Sequence, residues 1–231
     1  MKKIVYIVAL LAIISSCSTP QQTPITRMSQ YPGMYEEKPR SLLVMPPINN
    51  TENVEAKELL YTTVNMPLIN SGYYVFSPLL AMEVFKTESA YDAELFINGS
   101  LEQFGNVFGA DAVVFSKIER WEKSGGGIAT NIRYIVKSTK TNNVLFERYC
   151  ELFLDLKGNY NSGNFLTNLI VNFAVGVVSS ALTEHVKAAR MANNYIFNDL
   201  PAGCYATIYG QDGEMIASNK DVQITLNGSY L

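Results

Sequence analysis

The chain has 231 residues, 48% of them hydrophobic and 17% charged, with a net charge of −3. That leaves room for one sizeable hydrophobic core and few charges for the surface. No Lys/Arg cluster interleaves with aromatic residues, so nucleic acid is excluded as a partner, and a single histidine leaves almost no material for a histidine-based catalytic centre.

At the amino terminus Lys2 and Lys3 precede an apolar run from Ile4 to Ile14, too short to span a bilayer but suited to a signal peptide covering residues 1–16. The run ends in Ile14, Ser15, Ser16 and Cys17, which reads as a lipobox: an aliphatic residue, two small ones, and the thiol that takes the lipid. Cys17 is therefore the expected lipidation site and membrane tether, since each buried acyl methylene contributes about 0.8 kcal/mol and stable anchoring takes more than one chain. Ser18 stands where an inner-membrane retention signal has Asp, and no acidic cluster follows. By analogy with known sorting rules, the protein is expected at the outer membrane, facing the periplasm.

Ser18 to Pro39 is rich in Pro, Gln, Ser and Thr and lacks apolar periodicity, so residues 17–39 are expected to form a flexible tether reaching roughly 25 Å. A single globular domain over residues 40–231 follows. "RSLLVMPP" predicts a buried strand from Ser41 to Met45, stopped by Pro-Pro. Ala56, Leu60 and Val64 at four-residue steps predict a helix over 52–65, which Pro67 must kink or end. "GYYVFSP" predicts a second strand from Tyr73 to Phe76, Leu79 to Thr87 a short helix, and Asp92 to Phe108 a looser helical region.

"GADAVVFSKIERWEK" predicts the longest strand, buried on both faces at first and half-exposed later. A glycine turn at 125–127 leads into a hairpin of Ile128–Ser138 and Val144–Asp155. Phe165 to Leu182 approaches the length of a membrane span, but Asn168, Asn172, Gly176, Ser180 and Glu184 fall four apart, a narrow stripe of polar and small residues. That pattern fits a long apolar helix whose stripe faces solvent or contacts another subunit, which makes Asn168, Asn172, Gly176 and Ser180 candidate interface residues. Short strands are expected at Tyr205–Tyr209 and in "VQITLNGSYL". Strand–helix alternation followed by antiparallel strands predicts an α/β fold passing into α+β.

Candidate chemistry is sparse. His185 beside a helix reads as a surface residue, and Glu36/Glu37, Glu52/Glu55/Glu58 and Asp92/Glu94 read as solvated carboxylates. No metal, cofactor or catalytic motif is expected. Cys150 and Cys204 are candidates for a disulfide or for two separate thiols. Trp121 can be a core rim or an interface anchor, and Tyr73, Tyr74 and Trp121 can form a stacking platform for a small glycan or peptide.

The stretches "LLVMPP", "GYYVFSP" and above all "FGADAVVFSKIERWEK" resemble the bacterial lipoproteins typified by the genome-derived neisserial antigen lipoprotein, over roughly Ser41 to Gly210. The resemblance implies a fold similar to the amino-terminal domain of TolB, a mixed sheet with helices mainly on one side. It implies a non-enzymatic accessory role in an envelope transport or surface-assembly complex, as a homodimer or higher homo-oligomer. Other envelope lipoproteins, such as curli-pore-like ones, are the expected partners.

Overall fold

In "RSLLVMPP" Leu42, Leu43 and Val44 are all buried, because strand β1 (Ser41–Val44) is covered on both faces. Leu42 and Val44 enter one core with Ala112 and Val114, while Leu43 and Met45 enter another with Val113 and Phe115. The computed structural model describes residues 24–88, 90–156 and 182–227. Two short helices, α1 (Arg27–Gln30) and α2 (Pro32–Glu37), precede β1. After it come β2 (Ile48–Asn49), α3 (Glu55–Thr63), α4 (Asn65–Asn70), β3 (Tyr74–Val75), α5 (Pro78–Thr87), a 3₁₀ turn (Ala93–Leu95) and α6 (Glu102–Phe108). The long strands β4 (Ala112–Ser124), β5 (Gly127–Ser138) and β6 (Val144–Asp155) follow, then α7 (Leu182–Phe197) and β7 (Asp221–Asn227).

These strands make one seven-stranded sheet in the order β3-β1-β4-β5-β6-β7, with β2 also paired to β4. β1 and β2 lie end to end along β4, the first through Val44 opposite Val114 and the second through Ile48 opposite Lys117. Pro46 and Pro47 separate them because proline has no N–H for the ladder. The first half of the sheet is parallel, β4–β5–β6 is antiparallel, and β7 returns parallel to β6. The expected passage from α/β to α+β is present.

Helices cover both faces, which corrects the expectation of helices mainly on one side. The chain moves from β1 out to β3 through α3 and α4, then back across β1 to β4 through α5 and α6. Right-handed connections running in opposite directions place their helices on opposite faces. Accordingly Ala56, Leu60 and Leu68 join the first core with α7, while Ala81, Phe85 and Phe104 join the second. α7 buries Ala188, Ala189, Ala192 and Ile196 at helical spacing. It is pinned by Asn193, which accepts from the Tyr134 hydroxyl (2.7 Å) and donates to Thr63 Oγ1 (2.9 Å).

Two further expectations change, and a third falls outside the described residues. Residues 24–39 are part of the body from Pro24 onward: Tyr31 and Met34 are core residues, and residues 17–23 lie outside the described residues. Tyr205–Tyr209 forms successive turns, with Ala206 N bonding to Gly203 O, Tyr209 N to Ala206 O and Gln211 N to Ile208 O, in place of a strand. The long apolar helix is not shown: Phe165 to Ala181 lies outside the described residues, and the helix from Leu182 onward is amphipathic. Among the described residues no helix is long and apolar enough to cross a membrane.

Candidate functional site

Cys17, the signal peptide, and the stripe Asn168, Asn172, Gly176 and Ser180 lie outside the described residues. Trp121 is buried, 3% exposed, and so is neither a rim residue nor an exposed anchor. The cause is a β-bulge between Ile118 and Arg120: Ile118 faces Ile132 across the ladder, and after one extra residue Trp121 faces Thr130. Were all these residues paired in strict alternation from Ile118, with no bulge, Trp121 would turn outward and Arg120 into the core.

The indole Nε1 donates to His185 Nδ1 at 2.9 Å, and the two rings stack at 6.0 Å. His185 is thus a half-buried acceptor and not the surface residue expected. Burial, then the nearby Lys123 ammonium, depresses its pKa below the ordinary 6.5, against the opposing pull of Glu184 and Glu55. Lys123 in turn pairs with Glu184 at 3.1 Å. These contacts fix the start of α7 on the end of β4.

The stacking platform does not form. Tyr73 is buried, with its hydroxyl on Pro201 O at 2.7 Å, while Tyr74 points to the other side and is exposed. Cys150 is buried in β6 and Cys204 is partly exposed in the turn segment, and both are free thiols. Burial pushes the Cys150 thiol up to about 12, which leaves it protonated and inert. No group of three or more His, Cys, Asp or Glu is placed to hold a metal ion among the described residues.

The sequence reading missed three polar constructions, each linking residues far apart in the chain. Arg27 Nη1 pairs with Asp212 at 3.2 Å, its Nε lies 3.5 Å from Asp199, and its Nη2 donates to Asn198 O at 2.8 Å. Asp199 also accepts from the Tyr31 hydroxyl, and Asp212 from Ala202 N. This buried cluster locks the amino-terminal segment onto the end of α7 and the turn segment behind it. In the second construction Arg148, 1% exposed, donates to the carbonyls of Ile196 (2.8 Å), Tyr195 and Asn219, and so caps the carboxyl end of α7 with a cation.

The third explains the "GADA" motif. Gly109 takes φ +71 to close α6, and Asp111 then accepts from Arg40 N at 3.0 Å and from Ser41 N and Oγ, both at 3.2 Å. The motif is a clamp that sets β1 beside β4.

Among the described residues two surfaces are left uncovered. On the sheet face opposite α7, β5–β7 present Asn131, Arg133, Glu147, Tyr149, Glu151 and Gln223, with Arg133 bonded to Glu147 at 3.1 Å. At the end of the body that holds Arg27, a groove of about 310 Å³ runs between α4, the end of α7 and the turn segment, walled by Pro67, Phe197, Leu200, Ala206, Ile208 and Met215.

A lipoprotein of Neisseria meningitidis serogroup B (NMB1124/NMB1162) is 27% identical over 188 residues, covering 80% of this chain and 84% of that protein. The crystal structure of lipoprotein GNA1162 from Neisseria meningitidis is 24% identical and covers 58% of this chain and 97% of its own, with a TM-score of 0.49. The PelC dodecamer from Paraburkholderia phytofirmans is 10% identical, covering 69% and 86%, with a TM-score of 0.41. The GNA1162-like family of lipoproteins matches residues 29–211, a span that runs from α1 through the Asp111 clamp and the bulged β4 to the turn segment. With most of its length, and all the elements that build the clamp, inside that match, the chain belongs to the GNA1162-like lipoprotein family.

Proposed function

We propose that the protein is an outer-membrane lipoprotein, held by lipid on Cys17 and facing the periplasm. It acts without turnover, as an accessory component of an envelope transport or surface-assembly complex, through contacts with other envelope lipoproteins and with its own copies. The observation that carries this reading is Cys17 at the end of the apolar run Ile4–Ile14 in a chain of a lipoprotein family. The open face of β5–β7 supports a contact role: it offers charged and amide side chains on a rigid sheet, and nothing described packs over Arg133, Tyr149 and Glu151.

Fractionation of cells carrying the wild type and Cys17→Ala tests the anchor. Wild type is expected with the outer membrane and the variant in the soluble periplasmic fraction; a variant that stays with the membrane overturns the reading. Crosslinking in intact cells tests the contacts: recovery of second copies and envelope lipoproteins is expected. A protein that crosslinks to nothing and runs as a monomer at high concentration counts against them.

A further inference from the structure

We infer that the face built by residues 25–28, α4 and the turn segment 204–217 lies on the lipid bilayer surface, so that the body is held in one orientation by this face as well as by its lipid. The inference rests on the reading of Cys17 as the anchor.

Ile25, Met28, Ile69, Ile208, Met215 and Ile216 are each between 45% and 69% exposed. They come from three separate stretches that the backbone knits into one surface. Arg27 N bonds to Met215 O (2.9 Å), Met28 N to Gly213 O (3.0 Å) and Ala217 N to Ile25 O (2.9 Å). At the other side Gly203 N bonds to Ser71 O (2.8 Å) and Tyr205 N to Gly72 O (3.0 Å), which holds the turn segment against the end of α4. Tyr205 and Tyr209 are exposed on the same segment. Apolar side chains rimmed by tyrosine suit the boundary between acyl chains and headgroups.

Charge is sparse there and lies at the rim. In the stretches 24–30, 65–71 and 201–219 the ionisable acids and bases are Arg27, Asp212 and Glu214, apart from the Tyr and Cys side chains. Arg27 and Asp212 are consumed in their buried pair, which leaves Glu214 as the one exposed charge within these stretches, with the exposed Arg40 reaching Cys204 and Tyr205 at their edge and Lys220 just beyond it. A surface meant for water keeps more.

The tether decides what covers it. Seven Cα-to-Cα steps separate Cys17 from Pro24, a reach of about 25 Å fully extended and about 15 Å as a coil. Ile25, the next residue, already belongs to the apolar face. The lipid is thus attached beside this face and not at the far end of the body. The other end of α7, where Trp121 and Lys123 sit, lies about 24 Å away along the helix.

The test uses the full-length lipidated protein, carrying Cys204→Ser, reconstituted in vesicles of phosphatidylethanolamine and phosphatidylglycerol that contain nitroxide-labelled lipid. A fluorescent probe is placed on Ile216→Cys or, at the opposite end, on the exposed Glu122→Cys. Quenching at 216 is expected to exceed that at 122 at least about threefold. Equal, weak quenching at both positions in protein that floats with the vesicles overturns the docking and leaves the anchor standing. Protein that does not float overturns both. Weak quenching at 216 together with crosslinks between two 216 positions shows a second copy on this face and overturns the docking as well.

Discussion

Arg133 on β5 and Arg148 on β6 sit one register position apart, since Arg133 faces Tyr149 and Tyr134 faces Arg148. Alternation along the strands sends them to opposite faces of the sheet. Arg133 lies on the open face, about a third exposed, with Glu147 at 3.1 Å and Glu119 at 4.0 Å. An ion pair in that setting is screened by water and contributes little. Arg148 is buried, and its partners are the carbonyls of Tyr195, Ile196 and Asn219. Removing its guanidinium takes a donor from each of those carbonyls, and leaves Ile196 O with the longer bond from Asp199 N at 3.4 Å, in a place water does not reach. Arg148→Met is therefore expected to cost about 2–4 kcal/mol, whereas Arg133→Met stays within about 1 kcal/mol. Urea unfolding of the two variants measures both, and equal shifts in midpoint would refute the cap. Composition and spacing give no hint of this role, because Arg148 reads as one more charge on an alternating strand until α7 is folded over it.

Among the elements, the clamp of Asp111 is the joint that turns a family-like motif into structure. Burial disfavours its charge, but the N–H groups of Arg40 and Ser41, the Ser41 hydroxyl and the Lys140 ammonium outweigh burial and hold the carboxyl below the ordinary value of 3.8. A carboxyl depressed on folding contributes stability that is complete above that ordinary value and is lost as pH falls from there through the lower folded value. Asp111→Ala is expected to lower stability at neutral pH by about 1–3 kcal/mol, and the gap between wild type and variant should narrow as the medium is acidified below about pH 4. Chemical denaturation at several pH values checks this; a gap that stays constant removes the carboxylate from the account. Elements whose signal is local were readable in the sequence. β1 shows as an unbroken apolar run, and the β5–β6 hairpin shows as alternation about a turn. Elements that depend on distant partners were not. α1 and α2 read as a linker because their composition is polar, and what holds them is Arg27 against Asp199 and Asp212, some 170 to 185 residues away. Tyr205–Tyr209 reads as a strand by residue type, but Gly203 packs against Gly72 so closely that the chain turns there instead. The bulge before Arg120 is likewise invisible, since nothing in "KIERWEK" marks the extra residue.

At the scale of the whole molecule, docking of residues 24–39 onto the body changes what the anchor does. On the proposed anchoring at Cys17, a flexible tether of some twenty residues would let the domain tumble above the bilayer, whereas seven would keep it at the surface. In the orientation proposed above, the apolar end would meet lipid and leave the face of β5–β7 for partners in the periplasm. Tether length and surface adhesion can be separated by experiment. Inserting ten Gly/Ser residues after Ser18 raises the extended reach from about 25 Å to about 60 Å. If the apolar face itself adheres, the probe at residue 216 should be quenched by labelled lipid as strongly as before. If only the short tether holds the body down, the longer chain lets it leave, and quenching at 216 falls to the level seen at 122. The first outcome is expected, because burying the remaining exposed half of even three of these side chains contributes about 1 kcal/mol each, while lengthening the tether from seven residues to seventeen costs the bound state only about 1 kcal/mol in closure entropy.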